Sequence, residues 1–321
     1  MTVKHFSVTY DKVNDRGTFS PGDTLSGTVT VVTNKETKVQ CLVVKAKGKA
    51  MVAWNEQKGP TVMVHSDKKI YFYFEHIIVQ DKQMGNGTEI IGPGRNVYQF
   101  SFVLPNTDMP SSFKGKWGHI TYSVRAQLTQ SLWLVHKAKA EVPFLSKSEF
   151  PFASKSEIII IGLQEPQNAT RISFFGSGKI TMNVTSEKMG LRQGEAMGVT
   201  VDVVNSSARR VVPQFFLCEK QTFAAQSKIK VHGKDVFFGT GDPVPAESRG
   251  TITKVLSIPP QLPPTFFNCC MMKLEYRLKI TLDVPFVRDQ VIKIPLVILL
   301  GSPRPHQQKP KKSIWFKKFL S

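Results

Sequence analysis

The sequence predicts an all-β protein built from two β-sandwich domains in tandem. Val, Ile, Thr and Phe are abundant, Gly and Pro recur, and no long window places apolar residues at the i, i+3, i+4 and i+7 spacing of an amphipathic helix. The 321 residues are too many for one simple hydrophobic core and suit two domains of about 150 residues each. Many short alternating segments bounded by turn residues are typical of sandwiches.

Residues 98–128 show the clearest strand pattern in the chain. Apolar and polar residues alternate on both sides of a corner that contains Pro105 and Pro110. Because proline lacks an N–H, it ends a hydrogen-bonded ladder. The stretch therefore predicts a strand, a corner and a second strand.

A diverged copy of this stretch follows at residues 254–285. In the copy, Pro263 corresponds to Pro110 and Tyr276 corresponds to Tyr122. A second pair of similar segments supports the repeat: Gly22-Asp23 and Gly194-Glu195 each precede an alternating strand that ends in Asn. We interpret the chain as a duplication.

In chain order, the first domain is predicted over residues 1–145, a connection over 146–170, the second domain over 171–301 and a basic tail over 302–321. Strands of the first domain are predicted at residues 6–10, 25–33, 39–54, 69–79, 98–104, 120–129 and 138–144. Strands of the second are predicted at residues 179–185, 196–204, 212–222, 229–233, 250–258, 271–284 and 291–300.

Enzymatic chemistry is not predicted. The seven His are scattered, and the chain contains no G-x-S-x-G, H-E-x-x-H or P-loop motif. The four Cys show no C-x-x-C pair and no His at zinc-ligand spacing, so neither a metal site nor a cofactor is expected. A strand pattern begins directly after Met1 and the apolar runs are short, which predicts a cytosolic protein.

Several motifs give the chain a family resemblance. Residues 110–115 (PSSFKG) and 118–126 (GHITYSVRA) closely resemble the amino-terminal arrestin domain of the alpha-arrestins, the arrestin domain-containing proteins. Residues 274–279 (LEYRLK) and 294–298 (IPLVI) resemble the end of a carboxy-terminal arrestin domain. The resemblance extends over nearly the whole chain to Gly301 and implies two arrestin-type, immunoglobulin-like β-sandwiches.

The resemblance also implies a function. Alpha-arrestins are non-enzymatic cytoplasmic adaptors in endocytosis, endosomal sorting and protein transport, associated peripherally with the plasma membrane and endosomes. We therefore expect binding to the cytoplasmic tails of membrane proteins, including phosphorylated tails. Many members recruit the WW domains of ubiquitin ligases through P-P-x-Y motifs. This chain departs from that pattern, since Pro259-Pro260 and Pro263-Pro264 are not followed by Tyr, and ligase recruitment is therefore in doubt.

The charge favours anionic partners independently of any resemblance. Lys and Arg exceed Asp and Glu by a formal net charge of +19. Lys45, Lys47 and Lys49 alternate along one predicted strand, so they share a face opposite Val44 and Ala46. This face is either an ordinary solvated surface or a docking stripe for acidic or phosphorylated cargo.

Basic and aromatic residues also interleave in the predicted tail. Cations near an anionic leaflet and aromatic side chains at the interface both favour membrane binding; a disordered tail with no such role is the alternative. The candidate membrane-binding residues are Lys311, Lys312, Trp315, Phe316, Lys317, Lys318 and Phe319.

Two further functions remain open at this point. One branch of the alpha-arrestins resembles a thioredoxin-binding scaffold, which makes a redox or metabolic regulator an alternative. A basic nucleic-acid-binding protein is permitted by the charge, but RNP aromatics, zinc knuckles and a helix-turn-helix pattern are absent from the sequence, so no nucleic acid is expected as a partner.

Overall fold

The computed structural model describes residues 2–80, 89–147, 165–175, 178–284 and 289–301. Within these ranges the regular secondary structure consists of strands, with no helix. The prediction of an all-β protein is confirmed.

The amino-terminal half forms a two-layer sandwich. Its strands are β1 (Val3–Tyr10), β2 (Thr24–Thr33), β3 (Thr37–Val39), β4 (Cys41–Lys58), β5 (Thr61–Gln80), β6 (Glu89–Ile91), β7 (Gly94–Val103), β8 (Phe113–Lys114), β9 (Gly118–Ser131) and β10 (Leu134–Val142). One sheet has the order β1-β2-β7 and the other β10-β9-β4-β5, with β8 added to β9 and a separate β3-β6 pair. The sheets face each other, since β1 contacts β10 and β5 contacts β7.

The carboxy-terminal half repeats this plan. Its strands are β11 (Gln167–Phe175), β12 (Gly178–Ser186), β13 (Gly190–Arg192), β14 (Ala196–Ser207), β15 (Val212–Ala225), β16 (Lys228–Thr240), β17 (Ser248–Ser257), β18 (Met272–Asp283) and β19 (Gln290–Leu299). The two sheets have the orders β11-β12-β14-β17 and β13-β19-β18-β15-β16. Strands β4, β5, β9 and β10 thus correspond to β15, β16, β18 and β19.

The short strands β6, β8 and β13 were not predicted, and three longer strands depart most from the prediction. Strand β11 begins at Gln167, inside the segment 146–170 that was predicted as a connection; residues 148–164 of that segment lie outside the described ranges. Strand β5 begins at Thr61 and β16 continues to Thr240, both well beyond the predicted limits. The last two are edge strands with many exposed residues on both faces, so their sequences lack the alternation by which half-buried strands are recognised.

The corner tyrosines show the duplication in atomic detail. Tyr122 of β9 donates its hydroxyl hydrogen to the carbonyl oxygen of Pro110 at 2.6 Å, and Tyr276 of β18 donates to the carbonyl oxygen of Pro263 at 2.8 Å. Both side chains are almost fully buried. The predicted correspondence between the two corners is confirmed, and each tyrosine pins its proline-containing loop to the sandwich.

The glycine turns are equivalent as well. Gly22 and Gly194 have φ angles of 84° and 82°, a left-handed conformation that glycine adopts without steric cost. In each turn the following carboxylate accepts a hydrogen bond from the backbone N–H three residues earlier: Asp23 from Ser20 at 2.8 Å and Glu195 from Arg192 at 2.9 Å. The acid after each glycine therefore closes the turn.

The two halves pack directly against each other, and one apolar core runs through both. Tyr71 of β5 donates its hydroxyl hydrogen to the sulfur of Cys269 at 3.4 Å. A second contact joins the halves: the ring centroid of Trp117 in the first half lies 5.6 Å from that of His232 on β16 of the second. The approach is so close that a Cβ atom on Gly118 would lie 2.7 Å from the sulfur of Met272. The halves are thus in van der Waals contact at their junction.

Candidate functional site: a basic face of the amino-terminal sandwich

The predicted lysine stripe lies on the outer face of the β10-β9-β4-β5 sheet. Lys45, Lys47 and Lys49 of β4 point away from the core, whereas the alternate residues Val44 and Ala46 are fully buried. The period of two along a strand produces this arrangement. The structure confirms that the three lysines share a face.

Strand pairing places further cations beside the stripe. Arg125 of β9 is the register partner of Lys45, and Lys139 of β10 is the partner of Arg125, so these side chains form a row across three strands. Lys68 of β5 lies close enough to Lys47 for its positive charge to lower the pKa of Lys47. We call this surface the basic face; its residues are Lys45, Lys47, Lys49, Lys68, Arg125 and Lys139.

Two cations of the basic face have a carboxylate partner. Lys45 lies 3.3 Å from Glu75, and Lys139 lies 3.0 Å from Glu141. These acids are at the sheet's outer strands. The pKa of Glu141 is lowered by the hydrogen bond from Lys139, so this acid remains ionised at neutral pH.

The centre of the basic face is electrostatically uncompensated. Among the described residues, no ion pair within 4.0 Å involves Lys47, Lys49 or Arg125. Partial burial and the neighbouring charges of Lys68, Lys49 and Arg125 lower the pKa of Lys47. The ammonium group of Lys47 also lies 5.6 Å from the centre of the Tyr73 ring, a favourable cation–π contact. An anion placed here would relieve the mutual repulsion.

An open cleft of about 510 Å³ lies at one end of the basic face. Lys49, Lys114, His119 and Lys139 contribute its polar lining together with Glu141. Burial and the charge of Lys49 lower the pKa of His119 below its usual 6.5. His119 is therefore neutral near pH 7, and the lysines supply the positive charge of the cleft.

The equivalent face of the carboxy-terminal half differs in its charge balance. Lys220 of β15 pairs with Glu275 at 3.0 Å, and Lys279 of β18 pairs with Asp235 at 2.8 Å. Lys279 corresponds to Arg125 in the duplication, yet it is neutralised by a local acid. The position equivalent to Arg125 is thus neutralised in the carboxy-terminal half, whereas Arg125 itself has no carboxylate partner within 4.0 Å among the described residues.

The sequence pattern predicted three of the six residues of the basic face. Arg125, Lys68 and Lys139 lie on three other strands, and only the strand register shows that they join the stripe. The register could have been approximated by aligning the buried faces of the predicted strands. The predicted membrane-binding residues of the tail, Lys311 to Phe319, lie outside the described ranges.

Other kinds of site find no support among the described residues. No group of three or more His, Cys, Asp or Glu side chains there could hold a metal ion. The described ranges also contain no helix with the length and apolarity needed to cross a membrane. The four cysteines are unpaired; burial and the hydrogen-bonded carboxylate of Asp235 raise the pKa of Cys218 to about 11.

Comparison with known protein families identifies this architecture. Residues 6–148 match the model of the arrestin (or S-antigen) amino-terminal domain, and residues 176–305 match that of the arrestin (or S-antigen) carboxy-terminal domain. The chain belongs to the arrestin family. The two sandwiches are therefore arrestin domains in tandem, as the sequence motifs predicted, and the basic face lies on the first of them.

Similar arrestin-family proteins include human arrestin domain-containing protein 4, 26% identical over 88% of this chain and 68% of the relative. The protein of the same name from Mus musculus is also 26% identical, over 92% of this chain and 72% of the relative. Thioredoxin-interacting protein from Rattus norvegicus is 24% identical over 92% of this chain and 74% of the relative. These relatives agree with the predicted alpha-arrestin resemblance.

Proposed function

We propose that this arrestin is a non-enzymatic adaptor in membrane-protein trafficking. The basic face binds acidic or phosphorylated segments in the cytoplasmic tails of cargo proteins. Membership of the arrestin family supports the adaptor class, since arrestin-fold proteins are generally non-enzymatic. The cargo-binding role rests on one observation, the cluster of uncompensated cations at the centre of the basic face.

The cluster favours an anionic ligand for a physical reason. Burial lowers the pKa of Lys47, and the neighbouring charges of Lys68, Lys49 and Arg125 lower it further. A carboxylate or phosphate group would form charge-assisted hydrogen bonds and cancel the repulsion at once. Arg125 can hold a phosphate with two parallel hydrogen bonds, a geometry that lysine does not offer.

Binding of labelled acidic peptides, with and without phosphoserine, tests the proposal. Charge reversal by Lys47→Glu or Arg125→Glu should weaken binding about tenfold or more, because hydrogen bonds to charged groups contribute about 1.5–3 kcal/mol. The matched control is Lys220→Glu on the equivalent carboxy-terminal face. Equal losses from Lys47→Glu and Lys220→Glu would show that net charge alone, and not the basic face, governs binding.

The proposed location is the cytoplasmic side of the plasma membrane and endosomes. The interleaved cations and aromatics at residues 311–319 support peripheral binding to an anionic leaflet. A synthetic tail peptide should therefore bind anionic vesicles and not neutral ones. Equal binding to both kinds of vesicle would contradict this part of the proposal.

Direct recruitment of ubiquitin ligases through WW domains is not proposed. No P-P-x-Y motif occurs in the sequence, and Pro263-Pro264 lies at a corner of the second arrestin domain. The carbonyl oxygen of Pro263 there accepts the hydroxyl hydrogen of Tyr276. A WW domain binds an extended polyproline II segment with its backbone free.

A second candidate function is regulation of thioredoxin. It is favoured by the similarity to thioredoxin-interacting protein and by one exposed thiol, Cys270. If this function applies, the chain should form a mixed disulfide with a thioredoxin variant that traps such intermediates, and Cys270→Ser should abolish it. The nucleic-acid alternative is tested by competition, since generic DNA should not displace an acidic peptide at physiological salt.

A further inference from the structure

The tip of the β9-β10 hairpin exposes two large apolar side chains. Leu132 and Trp133 form the two-residue turn between Ser131 and Leu134. Their exposed fractions are 87% and 95%, the highest among the large apolar side chains of the described residues. Strand β9 itself is anchored in the core through Leu128, so the tip projects from a rigid support.

The composition of this turn is unusual within the chain. The turn between β4 and β5 consists of Gly59-Pro60, and the turn between β15 and β16 consists of Gln226-Ser227, both typical of turns. Gln226 and Ser227 adopt positive φ angles, whereas Leu132 and Trp133 do not. Neither packing nor backbone geometry therefore explains the apolar pair, which points to an external partner.

Lysines lie at the same end of the sandwich as the tip. The segment around Thr2 and β3 lies at the same end of the sandwich, because Thr2 accepts a hydrogen bond from Gln130 and Gln40 donates one to Thr129. Among the described residues, this end carries exposed lysines as well as acids, and the lysines outnumber the acids. The lysines are Lys4, Lys35, Lys38 and, on β10, Lys137; the acids are Glu36 and Glu89.

We propose that the Leu132-Trp133 tip inserts into the interfacial layer of an anionic membrane. Tryptophan prefers the boundary between headgroups and acyl chains, and leucine can bury its side chain just beneath that boundary. The lysines at this end of the sandwich attract anionic headgroups as the tip enters. A narrow convex turn fits a deformable lipid surface better than it fits the flat apolar interface of a protein dimer.

This membrane contact is distinct from the basic face. The tip lies roughly 20 Å along β9 from Arg125, six residues at about 3.4 Å each. Insertion of the tip would therefore leave the basic face open to cargo. The inference does not depend on the cargo proposal, because it uses different residues and predicts a different ligand.

Co-sedimentation of the full chain with phosphatidylcholine–phosphatidylserine vesicles tests the inference. The Leu132→Ser/Trp133→Ser variant should bind at least about tenfold more weakly than the natural chain, given the apolar surface that it no longer buries. Phe174→Ser is the matched control, since Phe174 is 76% exposed on the edge strand β11, away from the tip. It should bind as the natural chain does.

Fluorescence separates the tip from the predicted tail contact. In a full chain with Trp315→Phe, the remaining tryptophans are Trp54, Trp117 and Trp133, and Trp54 is buried. Vesicles with brominated acyl chains should quench the emission of this variant, and the added change Trp133→Phe should remove most of the quenching. Equal vesicle binding by the tip variant and the natural chain, or quenching that survives Trp133→Phe, would overturn the inference and leave a protein partner as the occupant of the tip.

Discussion

Phe113 and Phe266, which hold equivalent positions in the two arrestin domains, meet edge to face across the junction, with ring centroids 5.0 Å apart and planes at 67°. Each follows its proline corner, and each is more than nine-tenths buried. The contact therefore joins the domains through the same structural element of the repeat.

Truncation of either ring should destabilise the protein. Phe113→Ala and Phe266→Ala should each lower the free energy of unfolding by about 3 kcal/mol, because each leaves a cavity at the junction. The double variant should lose about 1 kcal/mol less than the sum, since the second truncation removes a contact already lost. Guanidinium unfolding measures all three. Strict additivity would show that the rings do not interact energetically.

The corner tyrosines should contribute equally to stability. Tyr122→Phe leaves the buried carbonyl of Pro110 without its donor, and Tyr276→Phe leaves the half-buried carbonyl of Pro263 without its donor. Each loss should cost about 1–2 kcal/mol of unfolding free energy. Tyr73→Phe is the control, since the Tyr73 hydroxyl bonds to Glu75 at an exposed site and its loss should cost less than about 0.5 kcal/mol. A negligible effect at either corner would contradict the equivalence of the two bonds.

Replacing Lys47 should weaken ligand binding without lowering the stability of the fold. Its lowered pKa means that its charge is disfavoured in the folded protein, so Lys47→Gln should leave the unfolding free energy within about 0.5 kcal/mol of the natural value or raise it slightly. The same variant should weaken acidic-peptide binding. Thermal unfolding and peptide titration on one sample test the pair of effects, with Lys220→Gln as the control. A clear loss of stability would indicate that Lys47 serves the fold.

The His119 imidazole should make cargo binding depend on pH. Since its folded pKa lies below the 6.5 of the unfolded chain, the stability that it contributes is present above about pH 6.5 and is lost as the pH falls through the folded pKa. A bound carboxylate raises that pKa, so an acidic peptide without phosphate should bind about threefold more tightly at pH 5.5 than at about pH 7.5.

The variant His119→Gln should remove most of this pH dependence of binding. His136→Gln, which changes a histidine on β10 that bonds to Gln130, should retain it. If both variants keep the dependence, the titrating group lies elsewhere on the chain or on the peptide.

The thiols should differ in reactivity. Burial and Asp235 raise the pKa of Cys218 to about 11, so little thiolate is present at neutral pH. Alkylation followed by mass spectrometry should therefore modify the exposed Cys270 first, while Cys218 reacts slowly and accelerates as the pH rises. Comparable rates at pH 7 would contradict the environment described for Cys218.

Local sequence patterns were sufficient to predict the duplication and the shared face of the lysine stripe. Gly22 and Gly194, like Pro110 and Pro263, have conformational requirements that sequence alone reveals. Arg125 could not be assigned to the basic face in this way, because a neighbour across a sheet depends on strand register. The first half of β5 was missed for a related reason: an edge strand with few buried side chains resembles a loop.

The junction between the domains has a further consequence. Tyr71 of the first domain meets Cys269 of the second, Trp117 of the first meets His232 of the second, and Phe113 meets its own counterpart. Reciprocal contacts of this kind are the pattern of an isologous homodimer interface. The subunits of a dimer associate to an extent that depends on the protein concentration. The two halves of this chain are covalently linked, so they meet at a fixed, high effective concentration. The arrangement of the arrestin chain is thus that of a single-chain dimer, in which equivalent surfaces of the two halves can carry different charge patterns: Lys279 pairs with Asp235, whereas its counterpart Arg125 has no carboxylate partner within 4.0 Å among the described residues.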